Sequence, residues 1–225
     1  QYTKQEWRAI KAQRHIDKEN IRLEKRRTEK ETKTVDYNPT LEQPAFRDKV
    51  MSKKNYILCL KHGTKYSYKY VNTLYNMCKR HCTIPFEMVC LTDDPEGLDE
   101  NITVLPLPDH LNGWWCKPYM FSKDLRLDGT ILYFDLDVVI ANNIDKLFTY
   151  EIGKWCVIRD FTRCMRPKWN RYNSSIIRWQ SGQLDHVWKK FSKDHVHWQR
   201  KFHGDQDFLW EADKHAILWP NNLPC

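Results

Sequence analysis

Short apolar runs alternate with segments of helical periodicity from about residue 55 to the end of the chain. A run of four to six apolar residues bounded by turn-forming residues is typical of a strand buried on both faces. This alternation favours an α/β fold with a mostly parallel, Rossmann-like sheet flanked by helices. The predicted strands are Tyr56–Leu60, Phe86–Leu91, Ile102–Leu105, Ile131–Phe134, Trp155–Ile158 and Ile176–Trp179. The predicted helices are Tyr66–Arg80, Cys116–Leu125, Asn143–Phe148 and one that follows Gly204-Asp205.

The first 34 residues have a different pattern. They contain no Gly or Pro, are dense in Lys, Arg, Glu and Gln, and show no sustained apolar stripe, which predicts a basic, charged helical arm over residues 1–34. Residues 35–54, with Pro39 and Pro44, are predicted to be a linker. Through Lys54 the chain carries 15 Lys and Arg against 9 Asp and Glu, so +6 of the total charge of +8 lies there. Such an arm is either a solvated or oligomerisation extension, or it binds a protein partner or nucleic acid.

The cysteines and the longest apolar runs bear on where the protein acts. Eight cysteines show no paired spacing, and several lie in apolar runs as buried thiols do, which predicts a reducing compartment such as the cytoplasm. The sequence has no run of 18 apolar residues, so it predicts no transmembrane segment, and it shows no signal peptide. Because the chain opens on Gln1 rather than Met, we expect its true start to lie upstream.

The strongest candidate for chemistry follows the predicted strand Ile131–Phe134. In Asp135-Leu136-Asp137, an extended backbone places both carboxylates on one side and Leu136 on the other. Ligands of open α/β sheets bind at the carboxyl ends of strands, where unpaired carboxylates are costly. We therefore expect Asp135 and Asp137 to hold Mg²⁺ or Mn²⁺, which in turn holds a phosphate. The alternative is an ordinary loop or helix cap.

Two further loops lie at predicted strand ends and could contact a nucleotide. Residues 60–66, LKHGTKY, contain Gly63, which permits a close approach of the backbone. Thr92-Asp93-Asp94 follows the second strand, where a carboxylate can accept a hydrogen bond from a ribose hydroxyl or a base edge. Neither GxGxxG nor GxxxxGK[ST] is present, so the dinucleotide fingerprint and the P-loop are excluded. Simple turn chemistry is the alternative for both loops.

Taken in order, these motifs resemble those of nucleotide-sugar glycosyltransferases with the GT-A fold, and most of all the retaining family 8 type, which includes glycogenin and lipopolysaccharide galactosyltransferases. The chain is also similar to small glycosyltransferase-like proteins of bacteriophages, which would place it in the host cytoplasm. The resemblance covers about Asn55 to Pro224 and implies a GT-A domain over residues 55–225. It further implies a Mn²⁺ or Mg²⁺ ion, a nucleotide-sugar donor with uridine diphosphate (UDP) as the usual carrier, and transfer with retention to an unidentified acceptor.

By this resemblance each motif has a role. Residues of two loops bind the nucleoside: Leu60, Lys61, Gly63 and Tyr66, then Thr92, Asp93 and Asp94. Residues around the donor sugar are Leu136, Asn173, Ser174 and Ser175. The residues assigned to catalysis are Lys117 near the phosphates and Asp205 and Gln206 beside the reacting carbon, while Asp135 and Asp137 bind the metal. The sequence departs from the family at Ser175, where glycine is usual, and after Asp207, where we expect the chain to stop before the family's metal-binding His.

Two other functions are compatible with the same sequence features. The segment Phe134–Val138 also fits the hydrophobic-Asp-x-Asp pattern of haloacid-dehalogenase-type phosphatases, although that pattern normally follows the first strand of its domain and three predicted strands precede it here. The other function is that of a weakly active or inactive glycosyltransferase-like structural subunit of a larger assembly, anchored by the helical arm.

Overall fold

The computed structural model describes residues 54–166, 171–220 and 223. The predicted arm and residues 35–53 of the predicted linker lie outside this range. Lys54, the last residue assigned to the linker, is the first residue of a strand. The division of the chain into arm, linker and domain therefore stays a prediction.

The strands of the described residues form one seven-stranded sheet in the order β3-β2-β1-β4-β6-β5-β7. Their bounds are β1 Lys54–Lys61, β2 Glu87–Thr92, β3 Ile102–Pro106, β4 Gly129–Phe134, β5 Cys156–Arg159, β6 Tyr172–Gln180 and β7 Ile217–Leu218. Strands β1 to β4 are parallel to one another, and β7 is parallel to β5. Strand β6 runs antiparallel to both β4 and β5. The predicted mostly parallel α/β fold is thus confirmed, with β6 as the reversed strand.

Helices cover both faces of this sheet. The α-helices of the described residues are α1 Tyr68–His81, α2 Asp145–Thr149, α3 Asp185–Lys193, α4 His195–Lys201 and α5 Asp205–Ala212. Three 3₁₀ helices span Gly113–Phe121, Lys123–Leu125 and Phe161–Cys164. Within the described ranges, no helix combines the length and the apolar character needed to cross a membrane.

The core has two halves because side chains alternate across each buried strand. In β4, Ile131 and Tyr133 face one half, whereas Leu132 and Phe134 face the other. Helices α1 and α2 pack on the Leu132 side, and the 3₁₀ helix Gly113–Phe121 with α3 and α5 packs on the Ile131 side. Every residue of β4 is buried, as its uninterrupted apolar run predicts.

The segment predicted as an α-helix over Cys116–Leu125 is the main correction. It forms the 3₁₀ helices Gly113–Phe121 and Lys123–Leu125. Pro118 explains this difference, because proline lacks a donor N–H and disfavours the α conformation of the residue before it. The sequence also predicted neither α3 nor α4, and β6 is longer than the predicted strand Ile176–Trp179.

Candidate active site

The reversed direction of β6 builds the centre of the site. Strand β4 ends at Phe134, which pairs with Ile176 of β6. The next backbone N–H, that of Asp135, donates a hydrogen bond of 2.8 Å to the carbonyl of Ser175. The early part of β6 therefore lies beside the predicted metal-binding motif, although nearly 40 residues separate the two in sequence. The structure brings Asp135, Ser174 and Ser175 together at the carboxyl end of β4.

Lys117 connects the acidic and hydroxyl groups of this centre. Its ammonium nitrogen lies 2.7 Å from Asp135 Oδ1 and 3.0 Å from Asp135 Oδ2. It also donates to Ser174 Oγ at 3.2 Å and lies 3.7 Å from Asp205 Oδ2. Burial alone would lower the pKa of Lys117, but the carboxylates of Asp205 and Asp135 outweigh burial and raise it above its usual value. Lys117 is therefore a charged group whose side chain is only 12% exposed.

Asp205 reaches the same centre from the first turn of α5. It is 9% exposed, and its Oδ2 accepts a hydrogen bond of 2.6 Å from Ser174 Oγ. Burial raises the pKa of Asp205 above its ordinary value, although Lys117 and Ser174 act in the opposite direction. A buried carboxylate at a helix N-terminus, next to an ammonium group, is suited to contact a polar or cationic centre of a ligand.

Tyr133 is a site residue that the sequence did not single out. It lies in the apolar run of β4 and was predicted only as core, yet its hydroxyl donates a 2.6 Å hydrogen bond to Asp135 Oδ1. Burial, followed by the charge of Asp135, raises the pKa of Tyr133 well above its usual value, so the hydroxyl stays a donor. Residues two apart on a strand share a face, so Tyr133 and Asp135 could have been paired from their spacing.

Asp137 lies on the wall of the same cavity and accepts a hydrogen bond of 3.0 Å from the hydroxyl of Tyr66. Asp135 and Asp137 together offer four carboxylate oxygens, which are the ligand type that Mg²⁺ and Mn²⁺ prefer. The residues present thus fit a divalent cation that takes its remaining ligands from phosphate and water. No group of three or more His, Cys, Asp or Glu side chains in the described ranges is arranged to hold a metal without such help.

The two predicted nucleoside loops are joined to each other. The buried ammonium group of Lys61 lies 2.9 Å from Asp94 Oδ2. The backbone N–H of Gly63, whose φ is +63°, donates to the carboxylate of Asp93 at 3.0 Å to Oδ2. Thr92 Oγ1 donates to the Asp94 carbonyl at 3.0 Å. Lys61, Thr92, Asp93 and Asp94 therefore brace the loop that carries Gly63.

A cavity of about 500 Å³ unites most of the predicted residues, a volume in the usual range for a small-molecule site. Its predicted lining residues are Leu60, Gly63, Tyr66, Lys117, Asp135, Leu136, Asp137, Ser174, Ser175, Asp205 and Gln206. The wall also contains His62, Thr64 and Lys65 of the predicted nucleotide loop 60–66. It further contains Gly113, Trp114 and Tyr133, to which the sequence assigned no role in the site. The remaining predicted residues, Lys61, Thr92, Asp93, Asp94 and Asn173, are not among those that line it. Asn173 instead accepts a hydrogen bond of 3.0 Å from the Ser175 N–H, which fixes the start of β6.

The sheet order, with its reversed strand and a cavity at the carboxyl end of β4, defines a glycosyltransferase-type, Rossmann-like α/β fold. The structure is similar to that of the glycosyltransferase GlyE of Streptococcus pneumoniae TIGR4, with a TM-score of 0.55 and 14% identity over 75% of this chain. The apo form of GlyE gives a TM-score of 0.54 and 13% identity over 76% of this chain. This chain spans 46% of the length of either GlyE chain. No protein-family model and no curated protein matches the sequence.

At this level of identity the similarity shows the fold alone. The family 8 assignment and the relation to phage proteins stay predictions. The chemistry of the site must be argued from its own residues, because one fold carries many activities.

Proposed function

We propose that this chain is a metal-dependent glycosyltransferase that takes a sugar from a nucleotide diphosphate sugar, with UDP as the carrier, and transfers it with retention to an acceptor. One observation carries the proposal: Lys117, Asp135, Ser174 and Asp205 come from four separate elements and meet at one cavity. This convergence occurs at the edge of the sheet where α/β proteins bind ligands.

The acidic motif supports the leaving diphosphate in this proposal. Asp135 and Asp137 would hold Mn²⁺ or Mg²⁺, which when bound supplies positive charge that stabilises the departing phosphate oxygens. Tyr133 and Lys117 hold the Asp135 carboxylate in one orientation through hydrogen bonds of 2.6 and 2.7 Å. A preorganised charge of this kind needs no rearrangement during the reaction, which is the main source of electrostatic catalysis.

The neighbouring part of the wall, at the N-terminus of α5, suits the donor sugar. Asp205 and Gln206 at the N-terminus of α5 line the cavity beside Ser174, so the carboxylate of Asp205 can orient sugar hydroxyls and support positive charge at the anomeric carbon. Lys117 lies between this carboxylate and Asp135, and its ammonium group can donate to a phosphate or sugar oxygen. Leu60, Gly63 and Tyr66 form the wall that we assign to the nucleoside.

The test is a calorimetric titration of the full chain with UDP, with and without Mn²⁺. We expect binding to strengthen with Mn²⁺ and to lose this dependence in the double variant Asp135→Asn/Asp137→Asn. The control is Asp124→Asn, the same change at an exposed carboxylate that is not among the cavity's lining residues. Absence of UDP binding by a folded wild-type chain would refute the proposal for this nucleotide.

The same variants separate transfer from phosphatase chemistry. A haloacid-dehalogenase-type enzyme would use Asp135 as a nucleophile after the first strand of its domain, whereas β1, β2 and β3 precede β4 here. We therefore expect no turnover of p-nitrophenyl phosphate with Mg²⁺, whereas turnover that disappears in the Asp135→Asn variant would favour the phosphatase.

A further inference from the structure

Two adjacent tryptophans, Trp114 and Trp115, have opposite environments. Trp115 packs into the core, where its ring stacks on Phe191 with a centroid distance of 5.8 Å and an angle of 6° between the planes. Trp114 is 50% exposed and lies on the wall of the active-site cavity. Trp115 is therefore part of the core, whereas Trp114 presents an aromatic surface to the cavity.

The 3₁₀ helix determines which residues accompany Trp114. With three residues per turn, positions i and i+3 lie one above the other, so Trp114 stands on the same side of the helix as Lys117 and about 6 Å from it along the axis. The start of the helix is held by Gly113, whose φ is +56° and whose N–H donates to His62 Nδ1 at 3.2 Å. Trp114 thus has a fixed backbone position one turn from Lys117.

His203 extends the aromatic surface of Trp114. The two rings are stacked and nearly parallel, with an angle of 14° and a centroid distance of 6.3 Å. His203 is exposed and precedes Gly204-Asp205, the N-terminus of α5. This platform, Trp114 with His203, is therefore anchored to both elements that supply Lys117 and Asp205.

We propose that the platform of Trp114 and His203 is the acceptor subsite and receives the apolar C–H face of a pyranose ring. The inference rests on the proposed glycosyl transfer. An indole carries negative charge density on its face and so attracts the weakly positive C–H hydrogens that a pyranose presents on one side. The ring nitrogens of His203 and the cavity's polar groups can hydrogen-bond the hydroxyls around that face.

The position of the platform favours the acceptor over the donor. The donor diphosphate belongs beside Asp135 and Lys117, whose side chains are only 22% and 12% exposed, whereas Trp114 is 50% exposed. An acceptor hydroxyl held there forms a bond to the anomeric carbon while the bond from that carbon to the diphosphate oxygen breaks. The hydroxyl proton passes to the departing phosphate oxygen, so the transfer balances without another reactant.

The experiment measures binding of simple pyranosides to the full chain. Methyl β-D-glucopyranoside, methyl β-D-galactopyranoside and methyl N-acetyl-β-D-glucosaminide are titrated in the presence of UDP and Mn²⁺, and saturation-transfer NMR records which ring protons contact the protein. We expect at least one glycoside to bind, and Trp114→Ala to weaken it by roughly tenfold, equivalent to about 1.4 kcal/mol. Trp114→Phe should weaken it less, because an aromatic face remains.

Controls separate this subsite from the donor site and from the proposed function. Trp114→Ala should leave UDP and UDP-glucose affinities within about twofold, well under the 1.4 kcal/mol of a tenfold change. Tyr68→Ala, at a comparably exposed aromatic that is not among the lining residues of the cavity, should change nothing. If Trp114→Ala weakens UDP-glucose as strongly as the glycosides, or if no glycoside binds the wild type, the acceptor subsite is wrong. Glycoside binding that needs Trp114 in a chain that does not bind UDP would overturn glycosyl transfer and leave only a sugar-binding surface.

Discussion

Replacing Lys117 by methionine tests whether one ammonium group holds the acidic centre together. Methionine keeps an unbranched, apolar side chain and removes the charge. In the wild type this charge lies 2.7 Å from Asp135 Oδ1 and 3.7 Å from Asp205 Oδ2, and the Lys117 side chain is 12% exposed. The variant would leave two poorly hydrated carboxylates next to each other without their cation.

The expected loss of stability is large. Removal of one partner from a buried ion pair costs about 3–5 kcal/mol, because the other charge stays buried and unpaired. For a chain of this length, 1 kcal/mol shifts the midpoint of thermal unfolding by about 2–4 °C, so we expect a decrease of roughly 6–20 °C. Lys189→Met is the control, since Lys189 lies 2.8 Å from Asp185 but its side chain is 64% exposed. That pair is screened by solvent, and its loss should have a much smaller effect.

The pH dependence of the stability loss in Lys117→Met shows whether the unpaired carboxylate of Asp205 causes it. Burial raises the pKa of Asp205 and Lys117 opposes this, so in Lys117→Met the pKa of Asp205 should rise further. A carboxyl whose pKa is higher in the folded than in the unfolded state destabilises the fold at high pH and ceases to do so as it is protonated. Circular-dichroism melts at about pH 8 and about pH 5 should therefore show a smaller deficit at the lower pH. A deficit no larger than that of Lys189→Met, or one independent of pH, would refute this reasoning.

The other two predictions concern the buried charge of Asp205 and the space around Gly129. Asp205→Asn keeps the shape of the side chain but removes its buried charge, so it should raise the midpoint of thermal unfolding near neutral pH and abolish transfer. The gain in stability should shrink as the pH falls, because the wild-type carboxyl then becomes protonated. A loss of stability at neutral pH would contradict the raised pKa of Asp205. Gly129→Ala should cost roughly 1–3 kcal/mol in urea unfolding, because its Cβ would overlap the carbonyl oxygen of Lys54 and disturb the pairing of β1 with β4. Gly204→Ala is the control, because its Cβ would come no closer than an ordinary contact of 4.0 Å with Trp114 Nε1. Equal losses for both variants would argue against the overlap.

Periodicity predicted most of the sheet because buried strands depend on a local pattern. Strands such as β4 carry uninterrupted apolar runs, so their existence follows from the sequence. Helix α3 was missed although Leu184, Val187 and Phe191, all buried, have helical spacing. Helix α4 buries no residue completely and so has no apolar stripe, and its clearest indication is Asp194, whose side chain accepts a hydrogen bond from the N–H of His197.

The candidate site was predictable in its motifs but not in its contacts. The sequence paired Asp135 with Asp137 by assuming an extended backbone, whereas β4 ends at Phe134 and both Leu136 and Asp137 lie in a turn. Both carboxylates still line the cavity, but so does Leu136, which was expected on the other side. The contact of Lys117 with Asp205 depends on how two helical elements pack together on one face of the sheet, and no sequence spacing encodes it. The exposure of Trp114 depends on the 3₁₀ helix that begins at Gly113, whereas the sequence predicted a helix only from Cys116 and so left Trp114 outside it.

The reversed strand β6 gives the donor half of the cavity its rigidity. Because β6 runs against β4, the cavity receives Ser174 from the interior of a strand instead of from a loop. This part of β6 is paired on both sides, through Phe134 with Ile176 and through Ile158 with Asn173. The register shift between Val157 and Ile158 of β5 lies at this point, as bulges often do beside active sites. Hydroxyl and carboxylate groups held by strands and by a helix N-terminus keep their positions more precisely than groups on loops. The part of the cavity that we assign to the donor is therefore built for fixed geometry, whereas the half-exposed indole of Trp114 lies where we propose that the acceptor binds.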